Sequence, residues 1–365
     1  MSDPLSTDEA KALRDAVRGL LVKRSDVRAA VETPLGYDDK LWSVLCEQIG
    51  VAALAIPQEY GGAGASLAEV CVVQHELGRT LTPSPMLGSP VLAALAVLAT
   101  GRPEVCERLL PGIADGSRVA AVAWSGADGD WAVGTPALTV HGGRLSGSAH
   151  YVLDGAVADV LLAVARDDDG PGLYEVDLED AGLRRRDAGA LDPTRGLASV
   201  EAADVPARRL DTGGYAPALA TVRDRVLVAL AAEQVGAAER ALELTVGYST
   251  QRRQFGRPIG SFQALKHRMA DAFVRLEAAR SACHAAVLSA RDGTPEAAAD
   301  AAVAKVVCSE ALQHVAAEMI QLHGGIAITW EHDAHLYFKR AHGSAELFGT
   351  PQRYVDALAG AARIG

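Results

Sequence analysis

Apolar residues recur at helical spacing over residues 8–21, 40–49 and 67–79, and each stripe predicts an amphipathic helix. Ser6 and Glu9 stand at capping-box spacing ahead of the first stripe. Pro83 and Pro85 break the run after the third. Between the second and third lies Pro57-Gln-Glu-Tyr-Gly-Gly-Ala-Gly64. Glycine clusters can cradle phosphate, but the G-x-G-x-x-G spacing is absent and no strand clearly precedes this one. A tight loop between helices is the expectation.

From about residue 118 the pattern changes. Short strand-like runs at 119–124, 138–140, 151–153, 160–165 and 173–176 are separated by Gly, Asp and Pro. From Ala216 the helical period returns over residues 222–250, 262–291 and 295–322, with a polar loop, Asp292-Gly-Thr-Pro295, joining the last two. Long amphipathic helices joined by short loops predict a bundle. The chain therefore reads as mostly α with a central β domain. Residues 1–117 form an N-terminal helical domain, 118–214 a middle β domain, and 215–365 a C-terminal helical bundle domain.

Composition narrows the partners more than the fold. The residues are 49% hydrophobic but only 5% aromatic, and Ala, Val and Leu dominate, which suits helices. Net charge is −11 with no basic patch, which argues against nucleic acid. No apolar run is long and charge-free enough to span a bilayer, and the first residues lack a signal core, so no membrane partner is expected. Cys46, Cys71, Cys106, Cys283 and Cys308 show no metal spacing. They read as buried free thiols in a reducing, cytoplasmic setting, with no metal.

Candidate chemistry gathers in three segments. The first is RRQFGRPIGSFQA at 252–264, at the junction of two long helices. Arg252 precedes a Gly-Arg-Pro turn, a good place for a guanidinium to meet a pyrophosphate, and Phe255 offers a ring to a nucleotide or flavin. The second is Gln321-Leu-His-Gly-Gly325, followed by Thr329-Trp-Glu-His332. Gly324 and Gly325 permit close backbone approach, and Gln321 and His323 carry donors. The third is Gly349-Thr-Pro-Gln352. Each has a plainer reading alone: a salt-bridged Arg, a core Phe, a helix-ending Gly-Gly.

Together, and with Glu76-Leu-Gly-Arg79 and Leu145-Ser-Gly147 upstream, these segments resemble the acyl-CoA dehydrogenase family over nearly the whole chain. The resemblance implies an N-terminal helical domain, a small β-barrel domain and a C-terminal four-helix bundle. It implies FAD held between two subunits, one of which reaches across with R-x-x-F-G and Q-x-x-G-G. Carried over residue by residue, the cofactor contacts would be Arg252, Gln254, Phe255, Gln321, Gly324, Gly325, Thr350 and Gln352. The reaction implied is α,β-desaturation of an acyl thioester. A carboxylate takes a proton from Cα while Cβ passes hydride to the flavin.

This chain departs from the family on one side of the cofactor only. Phe348 stands where the family keeps its catalytic glutamate. Val226 occupies the alternative base position on the first long helix of the bundle. The family's W-I-T or W-I-S reads Tyr151-Val-Leu153, and Leu153 has no hydroxyl to offer the flavin. The flavin-binding loop is degraded at 123–130. With no catalytic residue assigned, the resemblance implies an oxidoreductase subunit of lipid metabolism that contributes FAD contacts in trans. Its partner would be a second acyl-CoA dehydrogenase-like chain in a heterotetramer, or itself in a tetramer. The other expected partners are an acyl-CoA, bulky or steroid-like acyl groups included, and an electron-transfer flavoprotein-type acceptor. Two alternatives stay open: a homotetramer using Glu346 or Asp224 as base, and a non-redox acyl-thioester-binding protein.

Overall fold

The computed structural model describes residues 7–361. The chain opens with helices α1 (Asp8–Arg24), α2 (Val27–Val31), α3 (Asp39–Val44), α4 (Leu67–Thr80), α5 (Ala94–Leu98) and α6 (Pro103–Ala114). Thr7 caps α1 by accepting from the Ala10 amide at 3.0 Å. Ser6, expected as that cap, lies outside the described residues. A true capping box opens α4 instead, where Ser66 and Glu69 exchange side-chain and backbone bonds. The stripe over 40–49 is α3 running into a π-helical turn, Leu45–Ile49, that Gly50 ends at φ +76°. The glycine-rich stretch is a tight loop. A Cβ on Gly62 would sit 1.9 Å from the Ile56 carbonyl oxygen, so backbone packing explains that glycine.

A sheet follows, built from β1 (Ala120–Ala123), β2 (Leu138–His141), β3 (Arg144–Leu153), β4 (Val160–Asp167), β5 (Gly170–Val176), β6 (Leu183–Asp187) and β7 (Leu197–Arg209). It closes on itself. β4 pairs antiparallel with β5 on one edge and parallel with β1 and β2 on the other. β3 and β7 complete the circuit, and β6 adds to β7. Leu138, Leu145, Ala149, Val200 and Val205 fill its apolar interior.

The rest is helical apart from one small hairpin: α7 (Ala216–Gln251), β8 (Arg253–Gln254), β9 (Arg257–Pro258), α8 (Gln263–Asp292), α9 (Ala297–His323), α10 (Ala334–Glu346) and α11 (Pro351–Ala361). Residues 226–238 of α7 are buried on every face, because α4 and α9 both pack along it. The α4–α7 crossing is close enough to demand two glycines. A Cβ on Gly78 would lie 2.1 Å from the Glu233 carbonyl oxygen, and one on Gly236 would lie 2.0 Å from that of His75.

A buried ionic joint ties the sheet to the bundle. Arg340 of α10 donates to Asp192 at 2.6 Å, Glu233 at 2.7 Å and the Thr194 carbonyl at 2.9 Å, and Arg195 also donates to Glu233. Removing one member of such a buried set costs about 3–5 kcal/mol, because the others are left charged without partners.

Candidate functional site

The segment after α7 is a hairpin aimed at solvent. Arg253 and Gln254 pair with Pro258 and Arg257, leaving Phe255 and Gly256 as a two-residue turn. Both have positive φ, +52° and +75°. Such turns favour Asn-Gly, because a bulky side chain is strained there. Phe255 nevertheless occupies the first position and is 91% exposed. The Arg253 guanidinium donates to the Gly256 carbonyl at 3.0 Å and pins the turn, while Arg257 lies over the Phe262 ring at 4.0 Å. Arg252 and Gln254 are exposed on the same hairpin.

The turn after α9 stands next to the base of this hairpin. Tyr248, near the end of α7, stacks on His323 with ring centroids 4.4 Å apart. Gln321, Gly324 and Gly325 are exposed at that turn, and Ile328 and Trp330 beyond it present further apolar surface. Six of the sequence-predicted contacts, Arg252, Gln254, Phe255, Gln321, Gly324 and Gly325, thus share one outward region. His323 does not join them. It is buried, with Nδ1 2.8 Å from the Met319 carbonyl oxygen, and burial lowers its pKa. Its expected role as an outward donor is corrected to that of a packing residue.

The loop after α10 turns the other way. Phe348 has φ +62° and is 1% exposed. Its ring meets Trp131 edge-on, with centroids 4.6 Å apart, and Trp131 in turn lies 5.3 Å from Trp124. Leu153 is buried and belongs to the same core cluster as these three rings. The loop is held firmly. Tyr354 donates to the Phe348 carbonyl at 2.6 Å. Lys305 donates to the carbonyls of Ser344, Ala345 and Leu347 at 2.8–2.9 Å. Burial pushes the Lys305 ammonium down to about 7, yet three carbonyl acceptors use all three N–H groups of the charged form.

Thr350 and Gln352 lie just beyond, at the start of α11. Thr350 Oγ1 accepts from the Arg353 amide at 3.4 Å, and Gln352 donates to Asp356 at 2.8 Å. Arg353 pairs with Asp130 at 2.9 Å and donates to the Asp128 carbonyl at 3.3 Å, latching the 124–134 loop against α11.

The carboxylates expected as alternatives to a base have other surroundings. Glu346 is exposed at the end of α10. Asp224 is half-buried and accepts from Arg223 at 2.9 Å; burial raises its pKa, and Arg223 opposes the rise. Val226 is fully buried. Sequence reasoning missed Trp131 and Asp154. Asp154 directly follows Leu153, and burial lifts its carboxyl to about 7 against the pull of Arg195. It borders a cavity of about 20 Å³, room for one water, beside which Gln74 Nε2 and Arg195 Nε lack protein partners. Its position beside the Tyr-Val-Leu segment was the available signal. Among the described residues no cluster of three or more His, Cys, Asp or Glu is arranged to hold a metal ion, and no helix is long and apolar enough to cross a membrane.

Residues 7–117 match the family "Acyl-CoA dehydrogenase, N-terminal domain", and residues 223–362 match "Acyl-CoA dehydrogenase, C-terminal domain". The acyl-CoA dehydrogenase IpdE2 of Mycolicibacterium smegmatis is 42% identical over 355 residues, covering 96% of this chain and 98% of that protein. Among solved structures, a variant of the Tcur3481-Tcur3483 steroid ACAD superposes with a TM-score of 0.88 at 33% identity, covering 98% of each chain. The ChsE4-ChsE5 complex from Mycobacterium tuberculosis superposes with a TM-score of 0.89 at 27% identity over 100% of each chain.

Proposed function

The chain belongs to the acyl-CoA dehydrogenase family, and from that premise we propose that it is the completing subunit of a heteromeric enzyme whose base sits on another chain. One observation carries the reading. Phe348, which our reading aligns with the family's glutamate, is buried against Trp131 and has no acid–base chemistry. Members of the family bind FAD, and the residues here fit that group on one side. Arg252, Phe255 and the exposed Gln321, Gly324 and Gly325 offer charge, a stacking face and open backbone to a flavin dinucleotide on a neighbour. The inward side does not fit. It offers Leu153 in place of a hydroxyl and a volume that Trp131 and Phe348 already fill. A flavin held there would supply a hydride acceptor for Cβ of the acyl thioester, and Arg252, Phe255, Gln321, Gly324 and Gly325 would bind and orient it from this chain's side.

The pairing of chains in the ChsE4-ChsE5 complex and in the Tcur3481-Tcur3483 steroid ACAD supports a heterotetramer acting on a bulky, steroid-like acyl-CoA; the proposal adds an electron-transfer flavoprotein-type acceptor for the flavin's electrons. A second reading keeps the chain catalytic by itself, with Asp224 as base. Its favouring observation is a carboxyl that burial makes more basic. Flavin content and turnover of the chain alone, and again after co-expression with a glutamate-bearing partner, separate the two. The first reading expects both only with the partner. Turnover by the chain alone that falls in Asp224→Asn would favour the second.

A further inference from the structure

A cavity of about 470 Å³ lies where the start of α4 meets α5, the start of α7 and the end of α8, and none of its lining residues belongs to the site described above. Hollows of about 300–1,000 Å³ are the size that takes a small-molecule ligand. The wall is mainly apolar, with Leu67 of α4, Leu95 and Leu98 of α5, Val222 of α7 and Ala290 of α8. Leu67, Leu95, Val222 and Ala290 also belong to the main core, so the wall is backed by packed side chains. Ala218, Thr221, Val222 and Arg225 recur at helical spacing, which puts all four on one face of α7. Thr221 is exposed and marks where the cavity opens.

The charge lining this cavity has one sign. Arg225 and Arg291 line it, and no Asp or Glu does. Arg291 is answered by its neighbour, donating to the two carboxylate oxygens of Asp292 at 2.7 and 3.0 Å. Arg225 is half-buried and is not answered. Among the described residues it has no hydrogen bond, ion pair or ring contact, and the carboxylate next to it in sequence, Asp224, is taken by Arg223 at 2.9 Å. A second cavity, of about 510 Å³ between α1, α4, α7 and α8, makes the contrast. Arginines line it too, but Arg18 holds Glu76 at 2.7 Å and Arg280 holds Glu239 at 2.7 Å. The chain neutralises that pair internally and leaves Arg225 open, although its net charge is −11. An unanswered cation beside an apolar hollow complements an anion with an apolar tail.

We propose that this cavity binds a carboxylate-headed amphipath, such as a free long-chain acid. Arg225 takes the carboxylate through the planar fork of its guanidinium, and the tail lies along Leu95, Leu98 and Val222 in place of water. Burial of the tail supplies affinity, and the guanidinium selects the sign of the head group. The ligand touches α4 and α5 on one side and α7 and α8 on the other, so it ties the N-terminal helices to the bundle and raises the melting temperature of the loaded chain. The site goes beyond the function proposed above: its ligand carries no thioester, and neither flavin nor a partner's base takes part.

The test is calorimetric titration of the full chain, with any chains that co-purify from its native host. The probes are dodecanoate, dodecyltrimethylammonium and dodecyl phosphate, each kept below its micelle concentration. Dodecanoate should bind at one site on this chain, about tenfold or more tighter than the ammonium of equal tail length, and Arg225→Gln should weaken it about tenfold or more. Equal or tighter binding of the ammonium would mean that the tail alone decides, and overturns the proposal. Wild-type affinity for dodecanoate in Arg225→Gln overturns it as well. Tighter binding of dodecyl phosphate than of dodecanoate overturns the carboxylate head. The comparison of the three probes needs no variant, so it decides the matter even if Arg225→Gln folds poorly. Turnover is not read, so the result is independent of where the catalytic base sits.

Discussion

Two phenylalanines divide this molecule. Phe255 and Phe348 both occupy left-handed backbone, at φ +52° and +62°, where a bulky residue is strained. Phe255 is 91% exposed at a hairpin tip, and Phe348 is 1% exposed in a box of aromatic rings. Packing offsets the strain at Phe348 within the chain. Among the described residues nothing comparable offsets it at Phe255, whose ring touches Phe262 only edge-on at 6.1 Å. The difference teaches that strain plus burial is an ordinary core device, whereas strain plus exposure calls for something outside the chain to receive the side chain. In our reading, that receiver is a flavin-bearing neighbour.

The comparison can be broken most forcefully by truncating both rings. Phe348→Ala should destabilise the isolated chain by about 3–5 kcal/mol, the cost of emptying a filled aromatic site. Phe255→Ala should change it by no more than about 0.5 kcal/mol. Chemical denaturation of the two variants checks both; equal effects would erase the contrast. Next in size is a pH effect confined to the inward region. The Asp154 pKa is raised to about 7 in the fold, so its contribution is fully present below the unfolded value and is lost as pH rises through about 7. Asp154→Asn should therefore gain on wild type by about 2–4 kcal/mol between pH 4 and 8, measured by urea midpoints.

Smaller effects are expected on the outward face. Arg252→Ala should weaken flavin binding by the complete complex by about 10- to 100-fold, the worth of charge-assisted bonds to phosphate, while leaving the fold of this chain unchanged. Flavin fluorescence titration reads the loss. Phe255→Asn is the smallest and most discriminating change. Asn tolerates the left-handed turn better, so it should stabilise the isolated chain by about 0.5–1 kcal/mol while lowering flavin retention in the complex. A variant that improves both would mean that Phe255 has no receiver.

The helical–β–helical order was readable because the apolar period switches from helical to short runs and back. The outward face was readable because Arg252 to Phe255 and Gln321 to Gly325 are each local in sequence. What was missed depends on distance along the chain. Trp131 meets Phe348 across more than two hundred residues. β6 was missed for a different reason. Its residues, Leu-Arg-Arg-Arg-Asp, carry almost no apolar signal, and it forms by pairing with the better-buried β7. At the start of α1 the sequence points to Ser6, one residue before the observed cap Thr7, because either residue type can accept an amide bond there.

The most direct test of the central claim is the flavin content of this chain with and without a second, glutamate-bearing chain. The account predicts little FAD and no dehydrogenation by the chain alone, with both appearing on co-expression and both falling in Arg252→Ala. Stoichiometric FAD and full turnover from the purified chain alone would contradict it.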